Sequence, residues 1–286
     1  MMCAALCFVA SAWHSPRSSE VSSLQGVVTY SRLTAGTWQV WQFDLKTGVD
    51  RQLTTGLTDK RHPAKGPGAL IFYHNSNQET FSVNPANGES LRVLEGLSPV
   101  RSAVASPDGS QIIFSKIRTD IVDSSNLWIA RVDGADPRPF TMDGGIQDQP
   151  SWSPNGRTVA YAAGHGYGTY EIYLLEIGGR VPTQLTKNKS YESFPTWSPD
   201  GSTIAYSSEV TGDYEIWTMD PKGESQRQLT QSPGLDSTPS WSPDGRWLAF
   251  TSRRSGELEV WVCSSDGSGQ RSLVATGAPA CDPCWQ

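Results

Sequence analysis

The sequence predicts an all-β protein that folds as a six-bladed β-propeller of four-stranded antiparallel blades, and three observations support this. A unit of about 44 residues recurs along the 286-residue chain. Each unit contains short alternating segments of strand length, separated by turns rich in Gly, Pro, Asp and Ser. Third strands and fourth strands, counted separately, each number six. Four antiparallel strands in about 40 residues is the size of one propeller blade.

The clearest unit covers residues 239–274. It opens with a short strand that ends in Trp241, and the turn S-P-D-G follows. Proline and glycine fit the backbone angles of such a turn, and the aspartate side chain caps its own backbone. The first strand, the turn and the three later strands are predicted at residues 239–241, 242–245, 247–252, 259–263 and 270–274.

The same unit recurs upstream with decreasing clarity. Trp152, Trp197 and Trp241 are spaced by 45 and 44 residues, and each opens a W-S-P-(D/N)-G turn. A weaker copy begins at residues 105–109, and a degenerate one covers residues 63–73. Because the tryptophans and turn aspartates repeat in equivalent places, we interpret the former as packing between blades and the latter as turn chemistry.

The two ends of the chain complement each other. The first unit begins near Val27 and lacks an innermost strand, whereas Pro283-Cys284-Trp285 resembles the start of another unit. Trp285 lies 44 residues after Trp241, in phase with the repeat. A ring of blades that does not close leaves an exposed sheet edge. We therefore predict that the C-terminal segment completes the first blade and closes the ring.

Composition and charge limit the classes of function. The net charge is −6 and no basic stripe is present, which argues against a nucleic-acid partner. The repeats run without a linker, so residues 24–286 are predicted as one propeller domain. Residues 1–23 are predicted as a leader or linker, either a truncated signal segment or an unstructured tail. Its apolar run is too short to span a membrane, and we expect a periplasmic or extracellular location.

Candidate catalytic and metal-binding residues are few. His62 and His165 are interpreted as surface-loop residues, and the chain has no H-E-x-x-H pattern and no G-x-S-x-G nucleophile elbow. Cys281-x-x-Cys284 is a local disulfide, half of a metal site or a pair of free thiols. Without a second such pair, zinc is disfavoured. The sequence therefore predicts no catalytic residue, no metal and no cofactor.

The repeat resembles a known family. The W-S-P-D-G turn, the I-A-Y-S strand, the E-I-W strand and the R-Q-L-T strand together resemble the repeats of the TolB-type propellers. Residues 150–186, 195–230 and 239–274 carry nearly the whole pattern. The resemblance implies a non-enzymatic, envelope-associated scaffold that binds a protein, without the additional N-terminal domain of TolB.

Two alternatives to the scaffold remain open. Similar repeats precede the hydrolase domain of prolyl oligopeptidase-like enzymes, so the chain could be the substrate-gating part of such a system. Propellers also serve as sugar lyases and glycosidases. A cluster of His, Arg and carboxylate side chains that converge on the central channel would favour an enzyme.

A candidate partner site lies in the loops that lead into the first strands. Aligned on proline, Glu192 and Asp236 occupy equivalent positions, and Asp59 and Asp148 lie nearby in their own units. These carboxylates are either ordinary solvated loop residues or an acidic rim around the channel mouth that binds a partner protein, a basic peptide or a cation. We expect a monomer whose rim comprises Asp59, Asp148, Tyr191, Glu192, Tyr214 and Asp236.

Overall fold

The computed structural model describes residues 24–121, 124–164, 168–274 and 277–286. The predicted leader (1–23) and His165 lie outside these ranges. All regular secondary structure in the described residues is β-strand. No helix in these ranges is long and apolar enough to cross a membrane.

Twenty-four described strands form the sheets. The first sheet contains β1 (Val27–Thr34), β2 (Thr37–Asp44), β3 (Asp50–Gln52) and β24 (Ala280–Trp285). The second contains β4 (Lys60–Lys65), β5 (Ile71–Asn75), β6 (Thr80–Val83) and β7 (Ser90–Val93). A third sheet contains β16 (Glu192–Trp197), β17 (Ile204–Ser208), β18 (Glu215–Met219) and β19 (Arg227–Gln228). A fourth contains β20 (Asp236–Trp241), β21 (Trp247–Ser252), β22 (Glu259–Ser264) and β23 (Arg271–Val274).

The remaining eight strands form one sheet, which differs from the predicted six separate blades. Its two halves are joined by a single parallel pair, Ser125 with Ile146. Ser125 begins a strand in one half of the sheet, and Gly145 directly precedes the strand that begins at Ile146 in the other half. The Ser125 amide therefore donates to the Gly145 carbonyl oxygen (3.1 Å). The molecule thus has four separate four-stranded sheets. The eight strands are β8 (Val100–Ala105), β9 (Gln111–Ile117), β10 (Ser125–Arg131), β11 (Arg138–Pro139), β12 (Ile146–Trp152), β13 (Thr158–Gly164), β14 (Tyr170–Glu176) and β15 (Thr183–Gln184).

The first strands of the repeats line the centre of the molecule. Strands β4, β8, β12, β16, β20 and β24 contact one another in this order, and β24 contacts β4. Successive strands within each repeat lie farther from the centre and pair antiparallel. The all-β propeller architecture of four-stranded antiparallel units is therefore confirmed. We call the space inside the ring of first strands the channel.

The C-terminal strand completes the first sheet, as the phase of Trp285 predicted. Strand β24 pairs antiparallel with β1, and the Gln286 amide donates to the Val27 carbonyl oxygen (2.9 Å). Gly26 adopts a φ of +93°, and a Cβ there would lie 2.2 Å from the Gln286 carbonyl oxygen. Only glycine permits this close approach of the two ends.

The S-P-D-G segments form the turns that their sequence predicts. In the copy at residues 198–201, the Ser198 hydroxyl donates to Asp200 Oδ1 (2.6 Å) and accepts from the Thr203 amide (3.0 Å). Gly201 adopts a φ of +72° and lies against Pro154 of the preceding turn. The turn aspartates are therefore used within their own turns and carry no separate site.

The repeated tryptophans connect neighbouring repeats, but unequally. Trp152 and Trp241 are buried, and their indole N–H groups donate to the Val104 and Thr196 carbonyl oxygens of the preceding first strands (3.3 and 3.2 Å). Trp197 is half-buried, and its Nε1 has no hydrogen-bond partner among the described residues. Trp241 is thus the better anchor between repeats.

Deletion of residues 280–286 removes the strand that pairs with β1. We expect a lower melting temperature and aggregation, because the deletion exposes an unpaired sheet edge and uncovers the surrounding core. Thermal melting and light scattering of the truncated and full-length chains test this. An unchanged melting curve would contradict closure by β24.

Replacement of Trp241 by alanine should cost about 3–5 kcal/mol of unfolding free energy, because it removes buried surface and one indole hydrogen bond. Trp197→Ala is the matched comparison and should cost less, since that ring is half-buried and its N–H is unpaired. Denaturant melts of both variants give the ranking. Equal losses would show that the indole hydrogen bond and the deeper burial contribute nothing.

Candidate functional site

Each first strand contains a β-bulge near one end of the channel. The pairing register shifts at this point in all six first strands of the described structure. One residue at each bulge has a left-handed backbone, which non-glycine residues adopt only when surrounding contacts require it. These residues are His62, Ser102, Gln149, Phe194, Thr238 and Asp282, with φ between 51° and 56°.

Side chains of the preceding sheet hold these bulges in place. The Thr238 amide donates to Ser207 Oγ (3.1 Å), and the Asp282 amide donates to Thr251 Oγ1 (2.9 Å). The His62 amide donates in the same way to Ser31 Oγ (3.2 Å). A bulge re-aims the side chain it carries. The preceding sheet therefore determines which side chains of these first strands face the channel.

His62 and Asp282 meet across two neighbouring first strands. His62 Nδ1 lies 3.3 Å from Asp282 Oδ2, and Arg61 Nε lies 3.8 Å from the same oxygen. The Asp282 carboxylate raises the pKa of His62 above its usual value, against the effect of desolvation. Burial alone would raise the pKa of Asp282, but the charges of His62 and Arg61 hold it well below its usual range.

A second ion pair lies across the next two first strands. Arg101 Nε on β8 lies 2.7 Å from Asp148 Oδ2 on β12. Asp148 also contributes to the raised pKa of His62, so the two pairs share one electrostatic environment. We call Arg61, His62, Arg101, Asp148 and Asp282 the channel cluster.

The predicted rim residues are less exposed than their interpretation as loop carboxylates requires. Asp148, Glu192 and Asp236 lie in β12, β16 and β20, with relative exposures of 8%, 0% and 0%. The expectation of solvated loop positions is wrong for these three, because each first strand begins before the proline used for alignment. Asp59 is half-buried and its Oδ1 accepts the Trp38 amide hydrogen (3.0 Å).

Buried partners account for the two innermost carboxylates. Asp236 forms an ion pair with Arg254 and accepts the Ser252 hydroxyl (2.6 Å). Glu192 Oε1 accepts from Asn188 Nδ2 (2.6 Å) and Ser208 Oγ (2.9 Å), while Oε2 has no partner in the described structure. Burial raises the pKa of Glu192 to about 7, although the two hydrogen bonds oppose this shift. Glu192 and Asp236 therefore bond to side chains of their own sheets near the channel mouth and do not face solvent.

Aromatic residues at the mouth do come together. The ring centroids of Tyr170 and Tyr191 lie 4.5 Å apart, and those of Tyr191 and Tyr214 lie 5.8 Å apart. Tyr191 and Tyr214 are half-buried, so part of each ring is accessible. The structure therefore groups the two predicted tyrosines, which we call the tyrosine cluster together with Tyr170.

The interpretation of His62 as a surface-loop residue is wrong as to the loop, since it lies within β4 and contacts Asp282, although its side chain is exposed. Sequence reasoning also missed Asp282, Arg61 and Arg101. The sequence did contain a signal for Asp282, because His62 and Asp282 each directly precede a proline at equivalent points of the repeat. Both arginines precede the bulge residue of their strand by one position.

The cysteines near the cluster are free. Cys281 is buried, and desolvation raises the pKa of its thiol above the usual range, so it is protonated at neutral pH. Arg61 Nη2 lies 3.3 Å from its sulfur. Within the described ranges, no group of three or more His, Cys, Asp and Glu side chains is placed to hold a metal ion.

A cavity of about 650 Å³ lies on the opposite face, between the sheets that begin with β16 and β20. Asp200 and Asp244 in its wall are already bound within their turns. The rest of its lining combines turn residues with the strand residues Thr218, Met219, Arg227 and Trp241, of which Trp241 already donates its indole N–H to Thr196. We therefore place the candidate site at the channel.

Glu192→Gln should reduce the pH dependence of stability. Because the folded-state pKa of about 7 exceeds the ordinary value of 4.5, the folded state binds more protons, and the free energy of unfolding falls as pH rises through this window. The fall is at most about 3 kcal/mol in the natural chain and is absent in the variant. Melting temperatures measured across this window test it.

The exposed Glu95→Gln provides the matched control, since it removes a carboxylate that is not buried. Its melting temperature should follow the natural chain at each pH. If Glu192→Gln also follows the natural chain, ionisation of Glu192 does not oppose folding.

Comparisons with known proteins agree with this architecture. The model of the TolB beta propeller domain family matches residues 87–222 and 125–286. The Tol-Pal system protein TolB of Anaeromyxobacter dehalogenans is 28% identical over 120 residues, which are 41% of this chain and 27% of that protein. The match thus spans about a quarter of the relative's length.

Two solved structures illustrate the range of similar folds. TolB from Acinetobacter baumannii superposes with a TM-score of 0.77 and 20% identity, over 91% of this chain and 66% of that chain. An oligogalacturonate lyase in complex with manganese superposes with a TM-score of 0.63 and 19% identity, over 87% of this chain and 74% of that chain. At such identities the likeness shows the fold alone.

The family match extends over more than half of the sequence and includes the repeats in which the turns and bulges recur. The protein therefore belongs to the TolB beta propeller domain family.

Proposed function

We propose that this protein is a non-enzymatic scaffold that binds a partner protein at the mouth face of the channel. We define the mouth face by the loops that enter the first strands and the loops between second and third strands. The relationship to the Tol-Pal system protein TolB supports a binding role in an exported or envelope compartment. We take the functional unit to be a monomeric six-bladed ring in which the eight-stranded sheet counts as two blades.

Exposed apolar side chains on this face carry the proposal. Leu57 is 96% exposed and Met142 is 85% exposed, and each lies in a loop that enters a first strand. Met142 borders a shallow cavity of about 370 Å³ whose wall includes Trp128. Methionine and aromatic residues are enriched in the cores of protein interfaces. With the tyrosine cluster, these residues offer anchors that a partner could bury.

The rim carboxylates have a different role in this proposal from the one that sequence predicted. Asp148 and Asp236 are ion-paired, and Glu192 is buried with a raised pKa. Their attraction for a basic peptide is therefore weakened. We propose that they hold the entrance rigid, while Asp59, Tyr191 and Tyr214 contact the partner.

The experiment is a pull-down from a cell-envelope fraction, followed by affinity measurement with the identified partner. Leu57→Asp combined with Met142→Asp should weaken binding at least about tenfold, because it places charges in an apolar contact. Val49→Asp combined with Val181→Asp is the matched control, since both valines are exposed in loops on the opposite face. Loss of binding in the control alone would place the partner on that opposite face.

A second candidate function, an enzyme, is favoured by one observation. The channel cluster combines His, Arg and carboxylate side chains, and Asp282 orients His62 as it would orient a general base. The similar fold of an oligogalacturonate lyase suggests oligogalacturonate as a substrate to test. Turnover by the natural protein that disappears in His62→Gln would support this candidate. Absence of turnover, or equal turnover in the variant, would count against it.

A further inference from the structure

The channel wall is asymmetric in charge. The charged side chains of the channel cluster all lie on β4, β8, β12 and β24, which are neighbours. On β16 and β20, Glu192 and Asp236 are fully buried, and the half-buried side chains are uncharged. The latter are Phe194, Thr196, Trp197, Thr238 and Ser240.

Three of the four carboxylate oxygens of the charged wall already have partners. Asp148 Oδ2 pairs with Arg101, and Asp148 Oδ1 accepts from the Gln149 amide (2.8 Å). Asp282 Oδ2 lies close to His62 and Arg61 and accepts a weak hydrogen bond from the Cys281 thiol (3.4 Å). In the described part of the chain, Asp282 Oδ1 is the one oxygen left over, and a single carboxylate oxygen is too few ligands to hold a metal cation.

Hydrogen-bond donors on the same wall remain available. Among the described residues, Arg101 Nη1 and Nη2 and His62 Nε2 have no hydrogen-bond partner, and both side chains are accessible, 39% and 51% exposed respectively. Gln149 Oε1 accepts from the Phe194 amide (2.8 Å). This bond fixes the orientation of the Gln149 side chain and leaves its Nε2 group as a further donor.

The charge balance of the cluster favours an anion. When His62 is protonated, the three cationic groups Arg61, Arg101 and His62 face the two carboxylates Asp148 and Asp282, which leaves one net positive charge. The charge sits in a channel with protein walls, where fields are focused. Arginine forms two parallel hydrogen bonds with a carboxylate more readily than other side chains do.

We propose that the channel contains a binding site for a terminal carboxylate, held by Arg101, His62 and Gln149. The remainder of the ligand lies toward the neutral wall, where Phe194 offers an apolar contact and Thr196 offers a hydroxyl group. The Thr238 hydroxyl is already bonded to Thr251 Oγ1 (2.6 Å), and Ser240 Oγ already accepts from the Trp285 amide (2.9 Å). Two sources carry this chemistry, the C-terminus of a peptide and the carboxylate of a sugar acid. The site does not depend on the partner proposed for the mouth face, because its residues are different.

Affinity for the carboxylate should follow the charge of His62. The groups that act on His62 are Asp282, Arg61 and Asp148, and the neutral His74 lies behind it. Protonated His62 donates a charged hydrogen bond to the ligand. Binding should therefore weaken as pH rises above the ordinary histidine pKa of 6.5 and through the raised pKa of His62.

Isothermal titration calorimetry with four probes tests the site. They are a short peptide with a free C-terminus, the same peptide as its C-terminal amide, a galacturonate oligomer and its methyl ester. Binding of a free acid without binding of its neutral counterpart supports the proposal and identifies the source. Equal binding of acid and neutral probe, or no binding of either acid, overturns it.

Variants assign the binding to these residues. His62→Gln and the double variant Arg101→Gln with Asp148→Asn should each weaken binding at least about tenfold. The double variant replaces both members of the ion pair, so no buried carboxylate is left unpaired. Arg51→Gln on the exposed edge of β3 controls for loss of one positive charge and should bind normally. Thermal melting verifies folding, and full binding by both channel variants overturns the assignment.

Discussion

The bulge in each first strand is the constraint on which the structure depends. A left-handed residue costs on the order of 1–3 kcal/mol, and its backbone amide points out of the regular ladder. In this protein a side chain from the preceding sheet accepts that hydrogen, as Ser207 does for Thr238 and Thr251 does for Asp282. At four of the six bulges, those of His62, Phe194, Thr238 and Asp282, the preceding sheet therefore stabilises a strained strand of the next one. Separation of the repeats at these bulges would break the hydrogen bonds that hold the left-handed residues in place.

Closure of the ring follows from the same constraint. The first sheet has to present Ser31 to the bulge at His62, and it can do so only if it is held at the centre. Strand β24 provides this by pairing with β1 on its inner side. The same strand brings Asp282 beside His62. The element that completes the fold thus also completes the charged wall of the channel.

Much of the fold could be predicted because it repeats. The spacing of the tryptophans gave the length of a repeat, and the phase of Trp285 predicted its pairing partner. The eight-stranded sheet could not be predicted, because it depends on one backbone pair, Ser125 with Ile146, that has no side-chain signature.

The site was harder to predict for a different reason. Counting back from proline treated Glu192 and Asp236 as loop residues, whereas both begin a strand and are fully buried. Their burial depends on partners 16 to 18 residues away, which are Ser208 on the paired strand β17 and Arg254 in the turn after β21. The contact of Arg61 with Cys281 joins residues 220 apart, and only closure of the ring brings them together. The tyrosines were easier, because Tyr191 before β16 and Tyr214 between β17 and β18 lie in two loops at the same end of one repeat.

The proposed partner site lies at the mouth of the channel, and the proposed carboxylate site lies deeper, on the first strands. Leu57 and Met142 lie on the outer loops, whereas the channel cluster lies on the first strands. A partner seated on the mouth face would exclude water above the cluster, and lower local polarity strengthens interactions between charges. A carboxylate bound below would then be held more firmly. By thermodynamic linkage the carboxylate would strengthen partner binding by the same factor.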